Sequence, residues 1–180
     1  DQVLLKAGTI LSARHVGLAA GMNVPTLKVQ IKPKVALLGN GNELVEPGNP
    51  VGPHQIINSN TVAMMAFVAA CGGEPIDLGI ARDTVESLKE KMMEAQEADL
   101  LVTMGGASVG DYDLVQQVLG DQGFDLGFYR IAMRPGKPLI FGHMAGKTGP
   151  LPVLGLPGNP VSVGVTALLF MKPALEVMLG

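Results

Sequence analysis

Cysteine is nearly absent from this sequence: Cys71 stands alone among 180 residues, so no intrachain disulfide framework is available. A cytoplasmic setting is the simplest expectation, with a non-catalytic role for Cys71. Histidine is scarce as well. His15, His54 and His143 lie far apart without metal-ligand spacing, which argues against a His/Cys zinc site. No run approaches the roughly 18 continuous apolar residues of a membrane helix, so no membrane partner is expected. Residues 1–11 lack the basic leader and apolar core of a signal peptide. The chain also lacks an initiating methionine, which suggests a trimmed sequence. A net charge of −3 leaves no global basic field, so nucleic acid is not an expected partner. No internal repeat is visible.

What is present points to a folded domain. An apolar fraction of 47% is ample for a core, and 16% charged residues argues against disorder. Twenty-four glycines and thirteen prolines, spread without repetition, mark numerous tight connections. Residues 1–32 read as a partial flanking segment from a neighbouring domain: a short strand and turn over Val3–Thr9, a helix capped by Ser12 and ended by Gly21, then extended chain from Val24 to Ile31. Residues 33–180 read as one α/β domain. Short apolar runs at Lys34–Leu38, Ile76–Ile80 and Leu100–Met104 suit buried strands. Ser59–Cys71 suits a helix apolar on most faces, and Val85–Gln96 one with Val85, Leu88 and Met92 on a single face. A helix is expected near Tyr112–Leu119. Later strands are expected at Gly127–Met133, Leu139–Gly142 and Val153–Leu156, with a final helix from Pro160 to Met178 bent or broken at Pro173. This alternation specifies a three-layer αβα sandwich around a mostly parallel sheet. The Pro135-Gly136 turn permits an antiparallel hairpin within it.

Ligands of open α/β sheets bind outside the carboxyl ends of the strands. Four segments fall there: Gly39–Glu43, Ala81–Asp83, Gly105–Asp113 and Gly155–Pro160. The Gly105–Asp113 segment has two readings. Its glycines and the following helix start suit an anion cradle, or the segment is a structural turn capped by Asp111. It is not a Walker A loop, since no Lys-Ser or Lys-Thr follows. Glu43, Asp83 and Asp113 come from three of these loops; beside a phosphate they would repel it unless a cation such as Mg²⁺ lay between. Asp83 also begins a run with capping-box spacing, Asp83-Thr84-Val85-Glu86, and the cap is the stronger of its two readings. Arg130, Arg134 and Lys137 form a local basic patch. On one strand the two arginines would share a face about 13 Å apart and grip separate anionic groups; a charged, aggregation-averse edge is the alternative. Asn159 and Pro160 fit the cap and first position of the final helix.

Taken together, Gly105-Gly106-Ala107-Ser108-Val109-Gly110-Asp111-Tyr112-Asp113, Met133-Arg134-Pro135-Gly136-Lys137-Pro138 and Leu156-Pro157-Gly158-Asn159-Pro160-Val161-Ser162 resemble the molybdopterin-binding domain of the molybdenum insertases. That family includes the carboxy-terminal domain of gephyrin. The resemblance runs from about Lys34 to Gly180, and Leu5-Lys6-Ala7-Gly8-Thr9 is similar to the family's segment leading into the domain. It implies that adenylylated molybdopterin and molybdate react to give molybdenum cofactor and AMP, with Mg²⁺ or a similar cation. It implies acidic active-site roles for Glu43, Asp83 and Asp113, metal ligation included, and oxyanion-holding roles for Arg130, Arg134 and Lys137. Ligand contacts are implied for Gly105, Gly106, Ser108, Gly110, Asp111, Pro157, Gly158, Asn159 and Pro160. The family's additional regions are missing here and its members dimerise, so a fragment with weak activity by itself is expected, and a homodimer for the whole protein.

Three departures stand out. The family often reads Ser-Thr-Gly-Asp-Glu-Leu where this chain has Gly39-Asn40-Gly41-Asn42-Glu43-Leu44, so Asn42 replaces a carboxylate. Asn58 replaces a frequent Asp, and Arg130 stands where Lys is common. Two alternative functions remain at this point: a molybdopterin adenylyltransferase, and a non-catalytic scaffold of the same fold.

Overall fold

The computed structural model describes residues 2–105 and 125–180. The helix expected near Tyr112 and most of the long glycine loop therefore lie outside the described residues. Within them, four strands run parallel: β1 (Lys34–Asn40), β4 (Glu74–Ala81), β5 (Leu100–Met104) and β8 (Pro150–Leu156). β7 (Ile140–Ala145) is antiparallel to β8, and β6 (Asp125–Tyr129) is antiparallel to β7. The order across the six-stranded sheet is β4-β1-β5-β8-β7-β6. A separate parallel pair joins β2 (Leu44–Val45) to β3 (Ile56–Ile57).

Why β1 sits centrally follows from its residues. Alternate side chains face opposite sides of a strand, and Val35 and Leu37 join one core while Ala36 and Leu38 join the other, all fully buried. The first core is closed by Met64 and Val68 of α2 (Ser59–Ala70). Val163 of α4 (Pro160–Thr166), Ala167 and Met171 of the following π turn, and Leu175 of α5 (Lys172–Leu179) complete it. The second is closed by Leu88 and Met92 of α3 (Val85–Glu94). Helices on both faces of the sheet make the αβα sandwich that the alternation predicts.

Several expectations need correction. No strand forms over Val3–Thr9; a turn closes there by a 3.2 Å bond from the Thr9 N–H to the Lys6 carbonyl. Helix α1 (Ala13–Gly21) does follow Ser12, but it buries only Ala19. Helix α2 is buried along one face, not most faces, and Val62 is 53% exposed. Strand β6 ends at Tyr129 because Arg130 takes a positive φ of 67°, which breaks an extended run before Met133.

The last helix does not break at Pro173. Its spacing widens over a π turn, Ala167–Met171, directly before the proline, whose missing N–H and ring disfavour the regular ladder. Pro160–Leu179 is also long and apolar enough, over 20 residues, to cross a membrane by length and composition. Its buried stripe, Val163, Ala167, Met171 and Leu175 at four-residue spacing, instead packs on the sheet as a core helix does.

Candidate functional site

The carboxyl ends of the parallel strands converge on one rim, and hydrogen bonds lace their loops together. The Gly41 N–H donates to the Ala81 carbonyl at 3.2 Å, linking the loops after β1 and β4. The Gly105 N–H donates to the Leu156 carbonyl at 3.3 Å, linking β5 to β8. Gly105 has φ 92°, and a Cβ there would lie 2.5 Å from the Asn40 carbonyl oxygen. Only glycine permits that approach without a backbone shift. Gly158 in turn packs on Gly105, and its carbonyl accepts 2.8 Å from Asn60 Nδ2.

Between these loops lies a cavity of about 250 Å³ lined by Asn40, Glu43, Ile56, Ile57, Asn58, Asn60, Met104, Gly105, Gly158 and Pro160, among others. Its polar groups are unevenly matched. Asn58 caps α2: its Oδ1 accepts from the Thr61 N–H at 3.4 Å and the Thr61 hydroxyl at 3.0 Å. Among the described residues its Nδ2 is buried with no partner, as are both amide atoms of Asn40. Buried polar groups are nearly always hydrogen-bonded, so unpaired ones beside a cavity mark a place where a bound group can complete them. The Glu43 carboxylate lies over the Cα of Gly41, is exposed, and has no hydrogen-bond partner among the described residues.

Asp83 does not cap α3. Thr84 does, through a 3.2 Å bond from the Ser87 N–H to its Oγ1. One position earlier, Asp83 Oδ2 accepts from the Asn42 N–H at 3.0 Å, while Asn42 Oδ1 accepts from the Asp83 N–H at 3.2 Å. This reciprocal pair clasps the Glu43 loop to the end of β4. Asn42, the residue that departs from the insertase pattern, needs only a side-chain oxygen for that task. Asp83 itself is not among the residues lining the cavity.

The basic residues are arranged differently from a strand face. Arg130 lies beyond β6, its guanidinium 4.7 Å over the Tyr129 ring, and Arg134 sits in the following turn before a cis peptide to Pro135. They do not share a face, because the positive φ at Arg130 ends the strand between them. Pairing of Ile140 with both Tyr129 and Gly155 still puts this turn at the same end of the sheet as the cavity. Gly136 rests against Thr166 of α4, and the Ile131 N–H holds the Lys137 carbonyl at 3.0 Å. Arg130, Arg134 and Lys137 thus border the rim without lining the cavity.

Of the other expected residues, Asn159 accepts from the Val161 and Ser162 N–H groups at 3.0 and 3.3 Å with Pro160 at the first helical position, as the sequence predicts. Pro157 is buried behind them. Gly106, Ser108, Gly110, Asp111 and Asp113 lie outside the described residues. Among the described residues no three His, Cys, Asp or Glu side chains form a metal cluster. Glu43 and Asp83 each carry a hard carboxylate donor, with one Asp83 oxygen engaged by the Asn42 N–H. That suits Mg²⁺, which is commonly held by one or two carboxylates together with substrate phosphates.

Sequence reasoning missed Asn40, Asn60 and Arg82. Arg82 Nη1 donates to the carbonyls of Asn42 and Leu44, each at 3.2 Å. A polar residue at the end of a buried strand, as at Asn40, was the available signal; nothing local marked Arg82.

Residues 36–177 match the family model described as a probable molybdopterin binding domain. A molybdopterin molybdenumtransferase of Nostoc sp. is 41% identical over 98% of this chain and 41% of that protein. Molybdopterin molybdenumtransferase 2 of Mycobacterium tuberculosis is 35% identical over 98% of the chain and 44% of its own length. A molybdopterin biosynthesis MoeA protein of Pyrococcus horikoshii superposes with a TM-score of 0.86 at 38% identity, covering 98% of this chain and 43% of that one. The chain thus spans about two fifths of the length of these relatives. The match over most of the chain, and the rim that the same residues build, place this protein in the molybdopterin-binding domain family.

Proposed function

We propose that the chain supplies the substrate-binding rim of an enzyme that inserts molybdenum from molybdate into adenylylated molybdopterin and releases AMP. The observation carrying this reading is the rim cavity, whose lining includes Glu43 and an Asn58 Nδ2 that is buried without a partner among the described residues. A site built this way matches a ligand with both a cation-bridged phosphate and neutral polar edges.

In this reading Glu43 and Asp83 would hold Mg²⁺, and the resemblance implies a further acidic ligand at Asp113. When bound, the cation polarises the adenylyl phosphate. Arg130, Arg134 and Lys137 border the rim as fixed positive charge, so they attract molybdate and the phosphate without occupying the cavity themselves. Gly105, Gly158 and Pro160 bring backbone close enough to exclude water from one side of the ligand. Ile56 and Ile57 give the cavity an apolar wall.

We further propose that the whole protein is a homodimer. Val161, Leu168, Leu169 and Val177 of the last helix are 51–81% exposed, and apolar side chains this open favour burial against another surface, for which a second copy is the proposed partner.

The test is synthesis of molybdenum cofactor by the intact protein with adenylylated molybdopterin, molybdate and Mg²⁺. Glu43→Gln is expected to lower the rate by on the order of 100-fold, the scale of losses for groups that orient a bound metal. Turnover with ATP and unmodified molybdopterin instead would favour an adenylyltransferase.

A further inference from the structure

We propose that Arg82 is a positioning residue that acts through Glu43, holding in place the loop that carries the Glu43 carboxylate; this rests on the functional reading of Glu43 given above. The Glu43 carboxylate has no hydrogen bond among the described residues, so its position depends on its backbone, whose carbonyl accepts from the Ile56 N–H at 2.8 Å. That backbone is held at the two residues flanking it in sequence. Arg82 Nη1 bridges the Asn42 and Leu44 carbonyls at 3.2 Å each. One guanidinium nitrogen thus straddles Glu43 from behind.

Arg82 is itself anchored. Its N–H donates to Ser87 Oγ at 3.0 Å, in the first turn of α3, and its carbonyl accepts from the Thr84 N–H at 2.7 Å. Among the described residues no carboxylate forms an ion pair with it. Its charge therefore remains available to the two carbonyls, and hydrogen bonds to a charged donor are stronger than neutral ones. The Asn42–Asp83 clasp secures the start of the same loop, and the Gly41 N–H bond to Ala81 secures its root. Removal of Arg82 leaves that clasp and the Ile56 N–H bond to the Glu43 carbonyl in place but takes away the charged donor shared by the Asn42 and Leu44 carbonyls.

A positioning role makes the two residues interdependent. If Arg82 acts through Glu43, its removal costs activity only while Glu43 is present. In the intact protein, Arg82→Ala is expected to lower cofactor synthesis about 10-fold and to raise the Mg²⁺ concentration giving half-maximal rate. The Arg82→Ala/Glu43→Gln double variant is expected to match Glu43→Gln alone. Arg82→Lys, which keeps a cationic donor, is expected to recover most of the rate. Full additivity of the two losses, or Arg82→Ala within twofold of the parent, overturns the proposal.

An activity-independent readout separates this inference from the functional reading. Backbone amide order parameters at residues 42–44 are expected to fall in Arg82→Ala while those of β1 stay unchanged. Unchanged order at 42–44 overturns the positioning role. A loosened loop combined with full activity of Glu43→Gln would instead overturn the role given to Glu43.

Discussion

At Asn42 an amide stands where the insertase pattern has a carboxylate, and the geometry explains how the loop tolerates it. The side chain serves Asp83 through an oxygen, which amide and carboxylate both possess. Asn42→Ala removes that acceptor and is expected to destabilise the domain by about 1 kcal/mol, measured as a lower urea midpoint with unchanged slope. Asn42→Asp retains the acceptor but places a third negative charge near Asp83 and Glu43. Tighter Mg²⁺ binding by calorimetry is the expected result, and weaker binding would show that the loop does not face the cation. Gly105 is the other residue on which the rim depends. Gly105→Ala would push a methyl into the Asn40 carbonyl at a positive φ, so a loss of about 1–3 kcal/mol in the same denaturation experiment is expected.

Among the elements, those buried on both faces were legible in the sequence. β1 and β5 are short, continuous apolar runs because helices cover them on either side. Helix α3 was legible through Leu88 and Met92, yet its cap fell one residue late. Asp83 and Thr84 are both competent caps; a partner 41 residues away, Asn42, draws Asp83 to another loop. The arginine turn was misread for a comparable reason, since nothing in Tyr129-Arg130-Ile131 signals a positive φ at Arg130. By contrast, the Asn159-Pro160 start of the last helix was readable because both the acceptor and the ring act locally. Asn159→Ala is expected to cost about 1 kcal/mol, within the usual range for a lost N-cap, with the largest loss of amide-exchange protection at Val161 and Ser162.

On the scale of the whole molecule, the parallel sheet does for the site what no single motif does. Strands β1, β5 and β8 share a direction, so loops distant in sequence meet at one end and enclose the cavity. That convergence was legible from strand order alone. Which residues line it was not: Asp83 and the basic residues lie outside the lining, while Asn58 and Asn60 belong to it. The central claim is that this rim serves molybdenum insertion, and its most direct test is AMP release from adenylylated molybdopterin by the intact protein, followed with and without molybdate. The expected result is AMP release that requires both molybdate and Mg²⁺ and falls with Glu43→Gln. AMP release indifferent to molybdate, or none at all by a folded protein with both present, would contradict it.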